Sequence, residues 1–410
     1  MADSIVSGDK LCTEPRDLIE PMKENGAIQE FSLLGGPLHK MGCRLGLIRE
    51  GSSTLGLGIA LGLFCWAILM ALAGLEGLGW RVFSMATIGA HVRLLIAIPC
   101  LFLGESCAAP QMAEFTRYVV RSGVVPENSV PRLESNIRRA GQIKDSRLAE
   151  ALLFVVAFAL PLAAPIDAMV STSGSWAALR HASGGKFPLT TGWYMWFCLP
   201  FFRFLLFRWL WRLGLWWWFL WRLQRLELRL IPTHSDRSAG LGFLVVVHEN
   251  FAPVILAISA VWAAQFAEGI HSGTTKFDAL YGWVPIVLLL NATVFMAPVC
   301  MFVRKLWNCR IKGMSEYMGM ADRYVAAFDR RWIRDPGITG DSQLGAADLQ
   351  SLADLTNSVD IVRGMRWIPV GQRQITVFLL ATIVPLLPLL LLKYPIDQLL
   401  VKAFQMLIGV

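Results

Sequence analysis

The chain has 410 residues, 55% of them hydrophobic and 17% charged, with a mean hydropathy of +0.51. Such a balance falls outside the soluble globular range and points to a protein that crosses a membrane several times. Lys and Arg outnumber Asp and Glu by 38 to 30, an excess that would suggest nucleic acid in a soluble chain but here orients loops about a bilayer, so nucleic acid is excluded as a partner.

Residues 1–29 are polar, mixed in charge and without an apolar core, which predicts a disordered cytosolic tail and no signal peptide. Over 30–53, Leu34, Leu38, Met41, Leu45 and Ile48 recur at helical spacing, which predicts an interfacial helix. Seven stretches are then long and apolar enough to cross: 54–74, 87–106, 148–168, 193–213, 246–267, 283–303 and 374–394. The expected fold is an all-α membrane protein: a six-span bundle over 54–303, a cytosolic helical segment over 304–373, and a seventh span. In the cytosolic segment, Leu352, Leu355, Val359 and Val362 form one helical stripe and Tyr317, Tyr324, Phe328 and Trp332 another, separated by a turn-rich DPGITGDS stretch. A helical hairpin follows from that pattern. Pro395 breaks the chain after the last span, and 395–410 reads as a second, outer interfacial helix too short to cross.

With the N-terminus inside, the basic clusters from Arg117 to Arg147, from Arg222 to Arg237 and from Arg304 to Arg373 all face the cytosol, and seven spans send the C-terminus outside. In the first span Gly58 and Gly62 form GxxxG, which suits close helix approach either within the chain or between copies in a homo-oligomer. The third and seventh spans close on similar Leu-Pro-Leu and Pro-Ile-Asp runs. A parallel repeat of spans 1–3 and 5–7 and chance in Leu/Pro-rich sequence both account for this.

The segment Trp193 to Arg229 is dense in Trp, Leu and Phe yet carries Arg203, Arg208, Arg212, Arg222, Arg225 and Arg229. As one helix it would reach ~55 Å, beyond the ~30 Å hydrocarbon slab. Arg208 and Arg212 are expected to snorkel among the Trp residues toward anionic lipid headgroups, and Arg203 to lie near the midplane, where a charge is a functional hypothesis. Spacings of five and four do not match a voltage sensor, whose charges recur every third residue. Matched depths suggest pairs: Arg203 ~15 Å below Trp193 with Asn291 ~12 Å below Trp283, and Arg208 or Arg212 with Glu249 ~27 Å below Ala267. Together with His248 they define an expected polar seam. The same depth places His248, Glu249 and Asn250 at the cytosolic boundary, where they could instead cap or anchor a helix. His91 and Arg93 open the second span and Asp167 ends the third. An Arg93 to Asp167 pair would form an outer mouth, snorkelling at span ends being the plainer alternative. The eight cysteines include no CxxC, and HExxH and three-ligand spacings are missing, so neither metal nor cofactor is expected.

The stretches FSLLGGPLHKMGCRLGLI, HVRLLIAIP, IPTHSDRSAGLGFL and DLQSLADLTNSVDIVRGM resemble a family of bacterial multi-pass inner-membrane proteins of unknown function. The resemblance implies a bacterial inner-membrane location from Phe31 onward and no reaction or site. This chain departs from it at Ser235 and Ala239, where the family tends to carry Pro and Gly. Excess intramembrane Arg favours a transport or channel protein for an anionic solute. The alternative is a non-conducting scaffold or sensor that docks a cytosolic partner and reads anionic headgroups. No nucleophile-base set or phosphate loop supports an enzyme.

Overall fold

The computed structural model describes residues 54–163, 188–334 and 347–393. The tail, both interfacial helices, Asp167 and the DPGITGDS turn fall outside them. Among the described residues every regular element is helical. In chain order they are α1 (Leu55–Leu75), α2 (Met85–Arg121), α3 (Val130–Lys144), α4 (Arg147–Ala163), α5 (189–224), α6 (Phe243–His271), α7 (Phe277–Arg334), α8 (Ala347–Arg363) and α9 (Gln372–Leu392). Five of them, α1, α2, α6, α7 and α9, are long and apolar enough to cross a membrane. In α4 the described helix is 17 residues, and in α5 repeated Arg and Trp dilute the apolar run.

Helix α6 lies at the centre, packed on α2 and α9, while α5 packs on α3, α4 and α2. The GxxxG of α1 faces inward. A Cβ at Gly58 would fall 2.7 Å from Phe102 Cβ, and one at Gly62 would run into the Leu94 carbonyl. The small-residue face therefore serves packing within the chain, against α2.

Proline shapes the spans. Pro253 cannot donate a backbone hydrogen bond, and α6 breaks just before it at Asn250 and Phe251, where Asn250 Nδ2 returns a bond of 2.7 Å to the Val246 carbonyl. Pro298 tightens residues Ala297–Phe302 of α7 into a 3₁₀ turn, and Pro385 and Pro388 do so over Val384–Leu392 of α9. At the start of α5, the Glu76 carboxylate from the end of α1 accepts the Leu189 and Thr190 N–H groups and the Thr190 hydroxyl. An anion at a helix N-terminus satisfies orphan donors and the helix dipole together.

The loop from 230 to 242 binds the bundle to α7 and α8. Asp236 accepts backbone N–H groups from Ser238 at 2.7 Å, Gly240 at 3.1 Å and Gly242 at 2.7 Å, and faces His234 Nδ1 at 2.9 Å. This winding forces left-handed backbone at Arg237 and Ala239, with φ of 53° and 54°. Ala239 thus occupies a conformation that Gly adopts without a Cβ penalty. The Arg237 carbonyl accepts the Arg366 N–H at 2.7 Å, and Cβ of Pro232 packs over Gly313 of α7.

The apolar stripe Leu355, Val359 and Val362 of α8 is buried, and α8 packs on the second half of α7. Tyr324 Oη donates to the Asp348 carbonyl at 3.0 Å and Trp332 Nε1 to its carboxylate at 3.2 Å.

Candidate functional site: two charge clusters

Two polar clusters are built around α5, at different heights. The first joins α2, α4 and α5. Arg212 Nη2 donates to Glu105 Oε1 at 2.9 Å, with both side chains at 7% and 6% exposure. Arg208 lies 3.7 Å from the same carboxylate and 3.6 Å from Glu150. Trp209 between them sends its indole N–H to the Leu101 carbonyl at 3.0 Å. Residues 208 and 212 are one helical turn apart, so both guanidinium groups reach the same face. Two Arg and two Glu sum to zero charge. Such a set is costly to desolvate and costlier to break, because a lone buried charge remains.

The second cluster lies toward the Leu189 end of α5, between α2, α5 and α6. Arg93 Nη1 donates to Tyr194 Oη at 2.7 Å and Nη2 to Gln265 Oε1 at 3.0 Å. Glu268 Oε1 accepts the Gly89 N–H at 2.8 Å, and its charge acts on Arg93. Gly89 leaves room for this contact: an added Cβ would lie 2.6 Å from Glu268 Oε1 and 2.8 Å from Arg93 Nη1, so both side-chain ends would have to shift. Both Arg93 and Tyr194 open π turns, Arg93–Ala97 in α2 and Tyr194–Cys198 in α5. A π turn inserts one residue and turns the side chains after it, and such bulges concentrate at functional sites. Arg203 is half-buried below, near enough for Arg93 and Tyr194 to act on it electrostatically. It makes no hydrogen bond or ion pair with the described residues. Arg93, Arg203 and Glu268 leave this cluster with one positive charge in excess.

The expected pairs are re-sorted. Arg208 and Arg212 do not snorkel and do not meet Glu249; they turn inward to Glu105 and Glu150, because both carboxylates present themselves one helix away. Glu249 instead lies 3.6 Å from the exposed Arg373 of α9. Asn291 does not meet Arg203 but donates to Ser259 Oγ at 3.0 Å, both groups being buried on facing helices α7 and α6. Arg203 is also less enclosed than Arg212, so the most buried charge of α5 is the third of the series and not the first. His248 is only 1% exposed, with Nδ1 on the Leu244 carbonyl at 2.8 Å and its ring among Trp216 and Phe251. His91, expected at an outer mouth, is engaged at both nitrogens, by Trp66 Nε1 at 2.9 Å and the Val82 carbonyl at 2.7 Å, and stacks on Phe83. Arg93 turns away from that histidine and into the second cluster.

Five partners were not anticipated: Glu105, Glu150, Tyr194, Gln265 and Glu268. A usable signal existed for Glu105, a carboxylate inside the apolar run IPCLFLGESCAAP. Among the described residues no group of three His, Cys, Asp or Glu is placed to hold a metal. No family model, curated protein or solved structure matches the chain.

Proposed function

We propose that the chain is a seven-span protein of a bacterial inner membrane, N-terminus in the cytosol and C-terminus outside, that binds and passes a small anionic solute at the cluster of Arg93, Tyr194, Gln265, Glu268 and Arg203. The carrying observation is the contrast within one helix: Arg208 and Arg212 are matched by carboxylates, whereas Arg203 makes no hydrogen bond or ion pair among the described residues. A cation held among spanning helices requires company, and a solute anion or water supplies it. Counting α4 and α5 as spans rests on length: at ~1.5 Å per residue their 17 and 36 residues extend ~26 and ~54 Å. The N-in orientation rests on loop basicity.

The test is efflux of chloride, phosphate or a small carboxylate from proteoliposomes. Wild type is expected to exceed empty liposomes for at least one anion, and Arg203→Gln to lose about tenfold of that rate, as removal of one charge-assisted contact predicts. Equal, negligible efflux from wild type and variant overturns the reading.

A second reading has its own observation. Helix α7 runs 58 residues, ~87 Å as an ideal helix, so more than half of it lies beyond a ~30 Å slab. That half exposes Ile311, Met318 and Val325 beside the packed α8 face, while Arg222 and Arg225 lie over the Trp218 and Trp221 rings at the near end of α5. This suits a non-conducting scaffold whose projection, a cytosolic helical hairpin, docks a partner and whose Trp/Arg end reads anionic headgroups. Absent efflux together with a soluble partner lost on Met318→Asp would favour it.

A further inference from the structure

Between α2, α6 and α9 lies a hollow of about 330 Å³. Its back wall is the alanine face of α6, Ala260, Ala263, Ala264 and Ala267, each at most 7% exposed. The small side chains set that wall back by the depth of a missing leucine. Opposite stand Pro385 and Pro388, within the 3₁₀ stretch that ends α9. At the sides Ile96 and Val384 are exposed and apolar, so the opening faces hydrocarbon where these helices cross the membrane. All the described side chains lining the hollow are apolar. Water would find no partner inside, and a void of this size would forfeit packing on every wall.

Leu392 closes one end of the hollow, and Lys393 follows it immediately. The Lys393 ammonium stands at that rim, 2.9 Å from the exposed Asp278 carboxylate and 4.9 Å from the Phe277 ring centroid. An apolar slot in the bilayer ending at a cation at membrane-surface level complements an acyl chain ending in an anionic headgroup. We propose that this groove is a specific site for one phospholipid, with an acyl chain against the α6 alanines and its phosphate sharing Lys393 with Asp278. The site is independent of the solute reading: it lies on the Val92 and Ile96 face of α2, whereas Arg93 is turned to Tyr194 and Gln265.

The test is native mass spectrometry of the full chain, taken from nanodiscs of palmitoyl-oleoyl phosphatidylglycerol or phosphatidylcholine into mild detergent. Wild type is expected to retain one phosphatidylglycerol per chain, about tenfold more than phosphatidylcholine. Ala263→Phe, which fills the hollow, should abolish retention of both lipids. Lys393→Gln should bring phosphatidylglycerol down to the phosphatidylcholine level while leaving the helical circular dichroism unchanged. The proposal is overturned if wild type carries no lipid, if it carries a second copy of the chain there instead, or if Ala263→Phe retains lipid as wild type does. Should Ala263→Phe fail to fold, Lys393→Gln decides alone: undiminished phosphatidylglycerol sinks the site.

Discussion

The two clusters along α5 handle buried charge in opposite ways. Around Arg208 and Arg212, guanidinium and carboxylate groups match one for one, and the result clamps α2, α4 and α5 together. Around Arg93 and Arg203, cations exceed carboxylates, and uncharged Tyr194 and Gln265 fill in as acceptors. A matched set has little left to offer a ligand. The unmatched set keeps electrostatic attraction in reserve, and its two π turns place it where backbone geometry departs from the regular helix. Arg-rich sequence alone therefore does not tell a neutralised cluster from one with an excess of charge; the arithmetic of partners does.

Four substitutions test this contrast, from the largest effect to the smallest. Glu105→Gln leaves Arg212 buried without its carboxylate and should cost ~3–5 kcal/mol, read as a lower midpoint of detergent-induced unfolding. A near-normal midpoint would show that the first cluster is not a clamp. Gly89→Ala drives a methyl into Glu268 and Arg93 without changing any charge. It should cost ~1–3 kcal/mol and lower anion efflux, so unaltered efflux would separate transport from the second cluster. Tyr194→Phe removes one acceptor of Arg93 and is expected to cost about 1.5 kcal/mol by the same unfolding assay, the helical circular dichroism being preserved. Arg203→Gln should change stability by no more than ~0.5 kcal/mol, since no hydrogen bond or ion pair among the described residues is lost, while reducing efflux most. A large destabilisation there would mean that Arg203 is already engaged, and the contrast would collapse.

Much of the helical plan was legible in advance because a bilayer demands long apolar runs, and α1, α2, α6, α7 and α9 announce themselves that way. The break of α6 at Pro253 and the turn-rich loop around Asp236 are equally local matters. Pairing was not local. Depth bookkeeping matched Glu249 with Arg208 or Arg212, but depth says nothing of azimuth, and Glu249 faces Arg373 of α9. Glu105 is visible in sequence as a carboxylate inside a hydrophobic run, but its partners on α5 are not. Gln265 and Glu268 lie at the end of a span, where polar residues are ordinary, and only the approach of α2 through Gly89 gives them a role.

The sequence by itself determined that the chain is helical, that it belongs in a membrane, and that one helix carries an unusual load of Arg and Trp. These follow from composition and periodicity, which act residue by residue through solvation. Tertiary structure alone decided which arginines are neutralised, where π turns rotate side chains into register, and where an alanine face and two prolines border a hollow. Those outcomes depend on the rotation of each helix about its axis, and lipid, being as apolar as the buried faces it competes with, leaves little trace of that rotation in the sequence.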